Sequence, residues 1–350
     1  MKGDDRTAVV VRGDKERLYI KTEKLPARSK AAEIPIVRGV YIFVTTLMTG
    51  MKTLIYSAEV LEQFYEDEEA ADKKAEAEAK KTEEAARAGG AEGAEEATAS
   101  TGNPEKAEKA DKKKDEEGGV PFGVMIALSV AIAIAFVVGI FIIVPTVAVN
   151  FLGAFTDNAV LLNLFEGILR IVLFVVYIAI ISRMKDIQTT FEYHGAEHKT
   201  IHCYESGRPL TPRNAASFET LHPRCGTSFL MFVMIIALLL FSLLGWPNLA
   251  VRIASRIIFI PLIAGLSFEL LRYAGRSESA LVKILSVPGL LLQKITTREP
   301  DASQLEVAIA AMNAVLVPKD EPDIEGFCGA DGRLLPAEDS LEFQSALEGC

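Results

Sequence analysis

The sequence predicts an all-α membrane protein, with about four transmembrane helices, an interfacial or re-entrant N-terminal helix and a small N-terminal β-hairpin. Half of the 350 residues are apolar although 24% are charged, a mixture typical of chains divided into membrane-embedded and water-exposed parts. Four apolar runs each provide the ~20 residues needed to cross the hydrocarbon core. Residues 66–119 and 318–350 carry net charges of −8 and −7 against −10 for the whole chain. The remainder is therefore basic, and the acidic balance belongs to a linker and a tail.

Residues 1–33 contain the predicted hairpin, in which RTAVVVR and RLYIKTE flank Gly13-Asp14. Residues 34–65 have an apolar part just long enough to span a bilayer, but Arg38, Lys52 and Glu59 interrupt it. We expect an interfacial or re-entrant helix here rather than a crossing.

The next segment, 66–119, is rich in Ala, Glu and Lys and nearly free of aromatic and β-branched residues. This composition predicts a disordered or partly helical linker. A charged coiled coil is the alternative, although no apolar seam supports it.

A transmembrane bundle is predicted over 120–300, with a histidine-rich loop at 182–225 between its second and third spans. Its four spans are predicted at 121–149, 159–181, 226–244 and 251–271. A buried soluble bundle is the alternative, and the length of the apolar runs argues against it. Glu166 and Arg170 lie four residues apart within the second span, so we expect them to neutralise each other.

The distribution of Lys and Arg predicts the orientation of the bundle. The loops LGAFTDN and GWPN contain neither residue, whereas 182–225 and the region after the fourth span contain several. The positive-inside tendency then places the histidine-rich loop and both termini in the cytoplasm, in a multi-pass protein of the cell inner membrane. Both flanks of 34–65 would lie on that side, which is why we expect that segment not to cross.

The C-terminal region is predicted to be peripheral. SALVKILSVPGLLLQKITTREP is amphipathic and interrupted by Pro288-Gly289, which favours a helix along the inner leaflet. Residues 301–317 predict a cytoplasmic helix capped by Asp301 or Ser303. Residues 318–350 predict an acidic tail in which Cys328 and Cys350 have no role.

The four histidines of the chain are concentrated in one region. Three of them lie four residues apart in FEYHGAEHKTIHCYE, so a helix would place His194, His198 and His202 on one face. Glu197 and Glu205 would lie on the same face. His222 and Cys225 follow in LHPRCGTSF. Imidazole and thiolate groups together are typical ligands of a divalent transition metal, zinc above all. The predicted metal ligands are His194, His198, His202, His222 and Cys225, and Cys203 lies close enough in sequence to favour ligation as well.

An alternative interpretation is a polar helix whose histidines cap backbone groups or contact water.

Two carboxylates are the predicted catalytic residues. His194-Gly-Ala-Glu197-His198 matches H-x-x-E-H, in which two histidines hold zinc and the intervening glutamate acts as general base toward water. Glu269 lies near the predicted cytoplasmic end of the fourth span, where an ionisable group marks a functional candidate. An ion pair of Glu269 with Arg272 or Arg276 is the alternative.

Several of these segments resemble a known family, the YqhQ-like bacterial membrane proteins. The segments are VRGVYIFVTTLMTGMKTLIYSAE, NLFEGILRI, EYHGAEHKTIHCYE, HPRCGTSF, SFELLRYAGR and PGLLLQKITTREPDASQLEVAIAA. The resemblance covers residues 1–65 and about 120–317, and it implies a multi-pass membrane protein described as a predicted metal-dependent enzyme, without a substrate. The residues that match its motif positions are Glu192, His194, Glu197, His198, His202, His222, Cys225 and Glu269. The linker 66–119 departs from the family pattern as an insertion. Family members usually have a Gly-rich segment before the equivalent of MKGDDRTAVVVR, so we expect either a misassigned start or a loss of that segment.

Three functional hypotheses follow. The first is metal-dependent hydrolysis of a peptide or lipid-linked substrate at the cytoplasmic membrane surface. The second is a metal-stabilised scaffold or interaction protein, and the third is a transporter with Glu166, Arg170 and Glu269 along its path. The expected partners are the lipid bilayer and a membrane-associated substrate, without nucleic acid.

Overall fold

A computed structural model describes residues 1–13, 17–26, 34–88, 122–244, 249–277 and 279–335. The chain forms two compact units. One comprises Met1–Tyr65 and Ile140–Cys350, and the other comprises Glu66–Gly139. The candidate site lies in the first unit. The predicted linker falls partly outside the described residues, as does Cys350.

A three-stranded antiparallel sheet forms the N-terminal part of the first unit. Strands β1 (Arg6–Arg12) and β2 (Leu18–Lys24) form the expected hairpin, and β3 (Glu325–Cys328) pairs with β2 on its other edge. This third strand corrects the prediction of a two-stranded hairpin and of an acidic tail throughout 318–350. Cys328 is a free, buried cysteine in the core beneath the sheet. The strand has only four residues and lies inside an acidic segment, so its local pattern does not predict a strand. It is stabilised by pairing with a strand about 300 residues away in sequence, which local patterns do not report.

Helix α1 runs from Val37 to Ala88 and therefore extends well into the predicted linker. Alanine, glutamate and lysine are strong helix formers, which accounts for the continuation. Within the first unit, Val60 and Phe64 of α1 pack against Tyr19 and Phe327 on one face of the sheet.

Three helices are long and apolar enough to cross a membrane among the described residues. The first candidate span, Leu128–Leu152, is formed by α2 (Phe122–Val138), a π-helical segment (Gly139–Ile143) and α3 (Val144–Leu152). The second is α4 (Ala159–Ile181), and the third is Ala254–Ala274 within α8 (Leu249–Ala274). Helix α7 (Gly226–Ser242) is apolar but has 17 residues. Three of the four expected spans are thus found among the described residues, and the count of four is not confirmed because α7 is too short.

The remaining helices of the first unit carry the site. Helix α5 (Lys185–Glu205) follows α4, and the short α6 (Pro212–Ala216) leads toward α7. Helix α9 (Ala280–Thr296) continues through Pro288, which corrects the predicted interruption at Pro288-Gly289. Its Gly289 lies against Ser228 of α7, where an added Cβ would come within 2.6 Å of the hydroxyl oxygen. The glycine is needed there because it lets the two helices approach closely.

Helix α10 (Ala302–Val315) connects the site to the sheet. Asp301 caps it in a reciprocal capping box with Gln304, as the sequence predicted for one of two candidate caps. One side of α10 packs on Ala8, Leu18 and Ile20 of the sheet, and another packs on α5. The side of α5 that carries Ala196 and Cys203, opposite its histidines, therefore packs on α10.

Candidate metal centre

The four histidines form one continuous row. His194, His198 and His202 follow each other along α5, and His222 approaches from the loop before α7. The ring centroids of His194 and His198 are 4.4 Å apart, those of His198 and His222 are 5.5 Å apart, and those of His202 and His222 are 4.9 Å apart. The row divides into two groups whose donor atoms lie within 4.8 Å of one another: His194 with His198 and Cys225, and His202 with Glu205 and His222.

In the first group, backbone carbonyls fix both imidazoles. His194 Nδ1 donates to the carbonyl of Thr296 at 2.7 Å, and His198 Nδ1 donates to that of Thr220 at 2.5 Å. A carbonyl can only accept, so the proton of each neutral ring lies on Nδ1 and the lone pair lies on Nε2. This outer hydrogen bond is the one that metal-ligating histidines normally make. Both rings are therefore oriented as ligands.

Cys225 completes this group from the N-cap of α7. Its Sγ lies 3.1 Å from His194 Nε2 and accepts from the backbone N–H of Thr227 at 3.4 Å. Burial opposes a charge on this thiol, but hydrogen bonds from His194 and His198 and the positive charge of a doubly protonated His194 together outweigh it and lower the pKa of Cys225 to about 5. A bound metal would take the place of the proton on His194 Nε2. The position at a helix N-terminus favours the same ionised form. At neutral pH the group therefore presents a thiolate.

The donor set fits a tetrahedral metal ion with little rearrangement. Ligand bonds of about 2.3 Å to sulfur and 2.05 Å to nitrogen place the two atoms roughly 3.6 Å apart at a tetrahedral angle. The Sγ–Nε2 separation of 3.1 Å would need to open by about 0.5 Å from its present hydrogen-bonded value. Two nitrogen ligands and one thiolate are a borderline-soft set, which suits zinc among the common divalent ions.

The second group is less suited to a metal. Glu205 is exposed and forms an ion pair with Arg224. His222 Nδ1 accepts from the backbone N–H of Arg224 at 3.3 Å, so its proton lies on Nε2, where a ligand would need a lone pair. Burial and the neighbouring His202 and His198 lower the pKa of His222 to about 4, which keeps it neutral. His222 is therefore better described as a hydrogen-bonded neighbour of the first group.

A buried glutamine from α9 fixes the loop that carries His222. Gln293 Oε1 accepts from the His222 N–H at 2.8 Å, and Gln293 Nε2 donates to the His222 carbonyl at 2.8 Å and to Ser228 Oγ at 2.9 Å. Its side chain is completely buried. Gln293 was not among the predicted site residues. The available signal was a glutamine that follows an apolar run in GLLLQKI.

Gly195 is the second residue that the sequence analysis missed. A Cβ at this position would lie 2.0 Å from the carbonyl oxygen of Arg298, and Arg298 N–H donates to the carbonyl of Phe191 at 2.9 Å. The chain after α9 therefore crosses α5 at a distance that only glycine permits. This crossing brings the carbonyl of Thr296 to His194. The glycine between two histidines in HGAEH was the available signal.

The other predicted site residues lie apart from the first group. Cys203 is fully buried in the contact between α5 and α10, and its Sγ is directed to the carbonyl of Pro209 at 3.6 Å, so it belongs to neither metal group. Glu197 is half-buried and, among the described residues, has no hydrogen bond or ion pair. Burial lowers the pKa of His194, but the hydrogen bond and charge of Cys225, the Thr296 carbonyl and the charge of Glu197 together outweigh that effect and raise it. Glu197 is therefore the unpaired carboxylate beside the site.

Glu269 and Glu166 are paired within the helical bundle. Glu269 accepts from both Arg38 Nε, at 2.6 Å, and Arg38 Nη2, so its partner lies on α1 rather than at Arg272 or Arg276. Glu166 binds Arg170, as its spacing predicted, and also Arg256 of α8 at 2.6 Å. The metal groups contain neither carboxylate.

The described residues thus define a mostly helical protein with three helices able to cross a membrane and a candidate metal-binding group. Residues 34–317 match the family described as "Protein of unknown function (DUF1385)". The chain belongs to this family. It is 39% identical over 152 residues to "Uncharacterized protein YqhQ" of Bacillus subtilis (strain 168), an alignment that covers 43% of this chain and 48% of that relative. The match thus spans about half the length of the curated relative and confirms the resemblance seen in the sequence motifs. No solved structure matches this chain.

Proposed function

We propose that this chain is an integral membrane protein that holds a divalent metal ion, zinc by preference, through His194, His198 and Cys225. One observation carries the proposal: two imidazoles are each fixed at Nδ1 by a backbone carbonyl and present Nε2 beside a buried thiolate. Hydrogen bonding to Nδ1 excludes the tautomer that could not bind through Nε2.

Three protein ligands leave one position of a tetrahedral ion for water or substrate, which is the pattern of a catalytic rather than a structural site. When bound, the metal would supply Lewis acidity toward a carbonyl or phosphoryl group. Glu197 would take a proton at this position, because its carboxylate is unpaired among the described residues and adjacent in sequence to His198. We propose hydrolysis of a membrane-associated peptide or lipid-linked substrate as the reaction.

Metal content of the purified protein tests the site. The wild type is expected to contain about one equivalent of a transition metal, and His194→Ala/His198→Ala is expected to contain none. Cys203→Ala is the matched control, since that thiol lies outside both metal groups. Full metal content in the double variant would refute the ligand set.

Glu197→Gln separates catalysis from a metal-stabilised scaffold. The amide keeps the size of the side chain and removes its basicity, so the variant should keep the metal but fail to complement a deletion strain. Glu205→Gln, an exposed carboxylate on the same helix, is the control and should complement. If Glu197→Gln keeps the metal and complements fully, Glu197 is not the base. The ligands would then serve to clamp α5 to the start of α7, which is the scaffold function.

We also propose that the metal centre faces the cytoplasm at the inner membrane, on the basis of the Lys and Arg distribution. Single cysteines at Arg208 and Asp157, introduced into a chain without its native cysteines, should then be labelled from opposite sides. Labelling of both from outside the cell would contradict this orientation.

A further inference from the structure

A large cleft lies between α1 and the sheet, away from the metal groups. It has a volume of about 1080 Å³. Thr7, Val9, Lys21 and Glu23 form its sheet wall, on the face opposite α10. Val60 and Phe64 of α1 close one end by packing on the sheet. Residues between 41 and 56 of α1 form the helical wall of the cleft.

The two sides of α1 have different chemistry over this stretch. The side toward the cleft presents Thr45, Thr49, Thr53 and Tyr56, which recur at helical spacing. The opposite side presents large apolar residues that are 45–68% exposed: Val44, Leu47, Met51, Leu54 and Ile55. A helix with an exposed apolar side and a polar side is typical of a segment lying in the membrane interface. We therefore expect the cleft to lie at the depth of lipid headgroups.

The cleft is lined by more bases than acids. Five lysines face it against three carboxylates; the lysines are Lys2, Lys21, Lys24, Lys52 and Lys319, and the acids are Asp4, Asp5 and Glu23. Lys21 pairs with Glu325 at 3.2 Å, and Asp5 lies 3.8 Å from Arg6. Within the described part of the chain, Lys24, Lys52 and Lys319 form no ion pair. Ammonium groups next to threonine hydroxyls are donors suited to phosphate oxygens.

We propose that this cleft binds the phosphate group of an anionic membrane lipid. The lysines contact the phosphate, the hydroxyls of Thr49 and Thr53 donate to its oxygens, and the acyl chains extend past α1 along its apolar side. A lipid is favoured over a soluble phosphate compound because the same helix that lines the cleft exposes an apolar surface to the bilayer. This site is independent of the metal centre.

Binding of short-chain lipids to the purified full chain in neutral detergent tests the proposal. The probe is dioctanoyl phosphatidylglycerol, with dioctanoyl phosphatidylcholine as the zwitterionic comparison and glycerol phosphate as the headgroup without chains. The variant Lys24→Gln/Lys52→Gln/Lys319→Gln should weaken binding of the anionic lipid at least about tenfold. The control Lys185→Gln/Lys283→Gln/Lys294→Gln removes the same charge from exposed positions outside the cleft and should change binding less than about twofold.

Lys52→Gln alone provides the same test at lower cost to folding, and it should weaken binding several-fold. Equal losses in the two triple variants would overturn the proposal, because the attraction would then be a general effect of net charge. Equal affinity for phosphatidylcholine would overturn the role of the phosphate charge. Glycerol phosphate binding as tightly as the lipid would overturn the assignment to a lipid and indicate a soluble phosphate ligand.

Discussion

Replacement of Gly195 by alanine tests how the backbone crossing controls the metal centre. The new Cβ would lie 2.0 Å from the Arg298 carbonyl oxygen, whereas ordinary contacts begin at 3.4 Å, so the crossing must open by about 1.4 Å. The segment cannot recede freely, since Arg298 donates through its N–H to Phe191 and through Nη2 to the carbonyl of Ser182 at 3.0 Å.

The free energy of unfolding should fall by about 2–3 kcal/mol. Forced repacking costs about 2 kcal/mol, and loss of the Phe191 and Thr296 hydrogen bonds costs about 1 kcal/mol each. The higher helix propensity of alanine offsets about 1 kcal/mol. Because Thr296 orients His194, the affinity for metal should also fall by about 10–100-fold.

Thermal unfolding in detergent and a competitive chelator titration measure the two effects. Gly50→Ala is the matched control, since a Cβ at Gly50 of α1 meets nothing within 4 Å. That variant should be unchanged or slightly more stable, with wild-type affinity for metal. If Gly195→Ala binds metal as tightly as the wild type, Thr296 does not orient His194 and this account of the site is refuted.

Two further predictions concern the surroundings of the site. Gln293→Leu leaves the N–H and carbonyl of His222 without their buried partner, so thermal stability should fall by about 2–4 kcal/mol, and an unchanged unfolding midpoint would contradict the bridging role. The unfolding midpoint of the metal-free protein should rise as the pH increases from about 5 to about 6.5 and level off above that value. The lowered pKa of Cys225 gives a stabilisation that is complete above its ordinary value of 9.0 and is lost as the pH falls through about 5. The raised pKa of His194 gives a stabilisation that is complete below pH 6.5. This stabilisation is lost as the pH rises through the pKa of His194 in the folded protein. Cys225→Ser should abolish the rise between about pH 5 and 6.5, and a profile parallel to that of the wild type would count against the thiolate–imidazolium pair.

The sequence predicted those parts of the fold that depend on local composition. The second span coincides with α4, because an apolar run bounded by the N-cap Asn158 defines its own ends. The capping of α10 by Asp301 was likewise local. The third strand was missed because β2 and β3 are joined only by tertiary structure. Continuation of α9 through Pro288 was missed because packing against α7 overrides the local preference of proline and glycine.

For the site, the spacing of the histidines located the cluster but not its division. The sequence placed five ligands in one set, whereas the structure places His194, His198 and Cys225 in one group, in which backbone carbonyls fix the tautomers of the two histidines. Those carbonyls belong to residues 220 and 296, and no side-chain pattern reports where a carbonyl points. Cys203 was grouped with the ligands by its position next to His202, yet it lies on the side of α5 that packs on α10. Neighbours in sequence on a helix point in different directions.

The pairing of β2 with β3 has a consequence for how the protein is made. Lys21 meets Glu325, 304 residues later, so at about 5–20 residues per second the ribosome needs roughly 15–60 s to supply the partner strand. During that interval every apolar helix is synthesised while one edge of β2 stays unpaired, and open strand edges invite association with other chains. Completion of the sheet therefore marks the moment at which the whole bundle has been translated. A chaperone that shields the N-terminal hairpin would act in this interval. A chain that stops before Glu325 would keep this edge of β2 unpaired, and we expect it to be degraded.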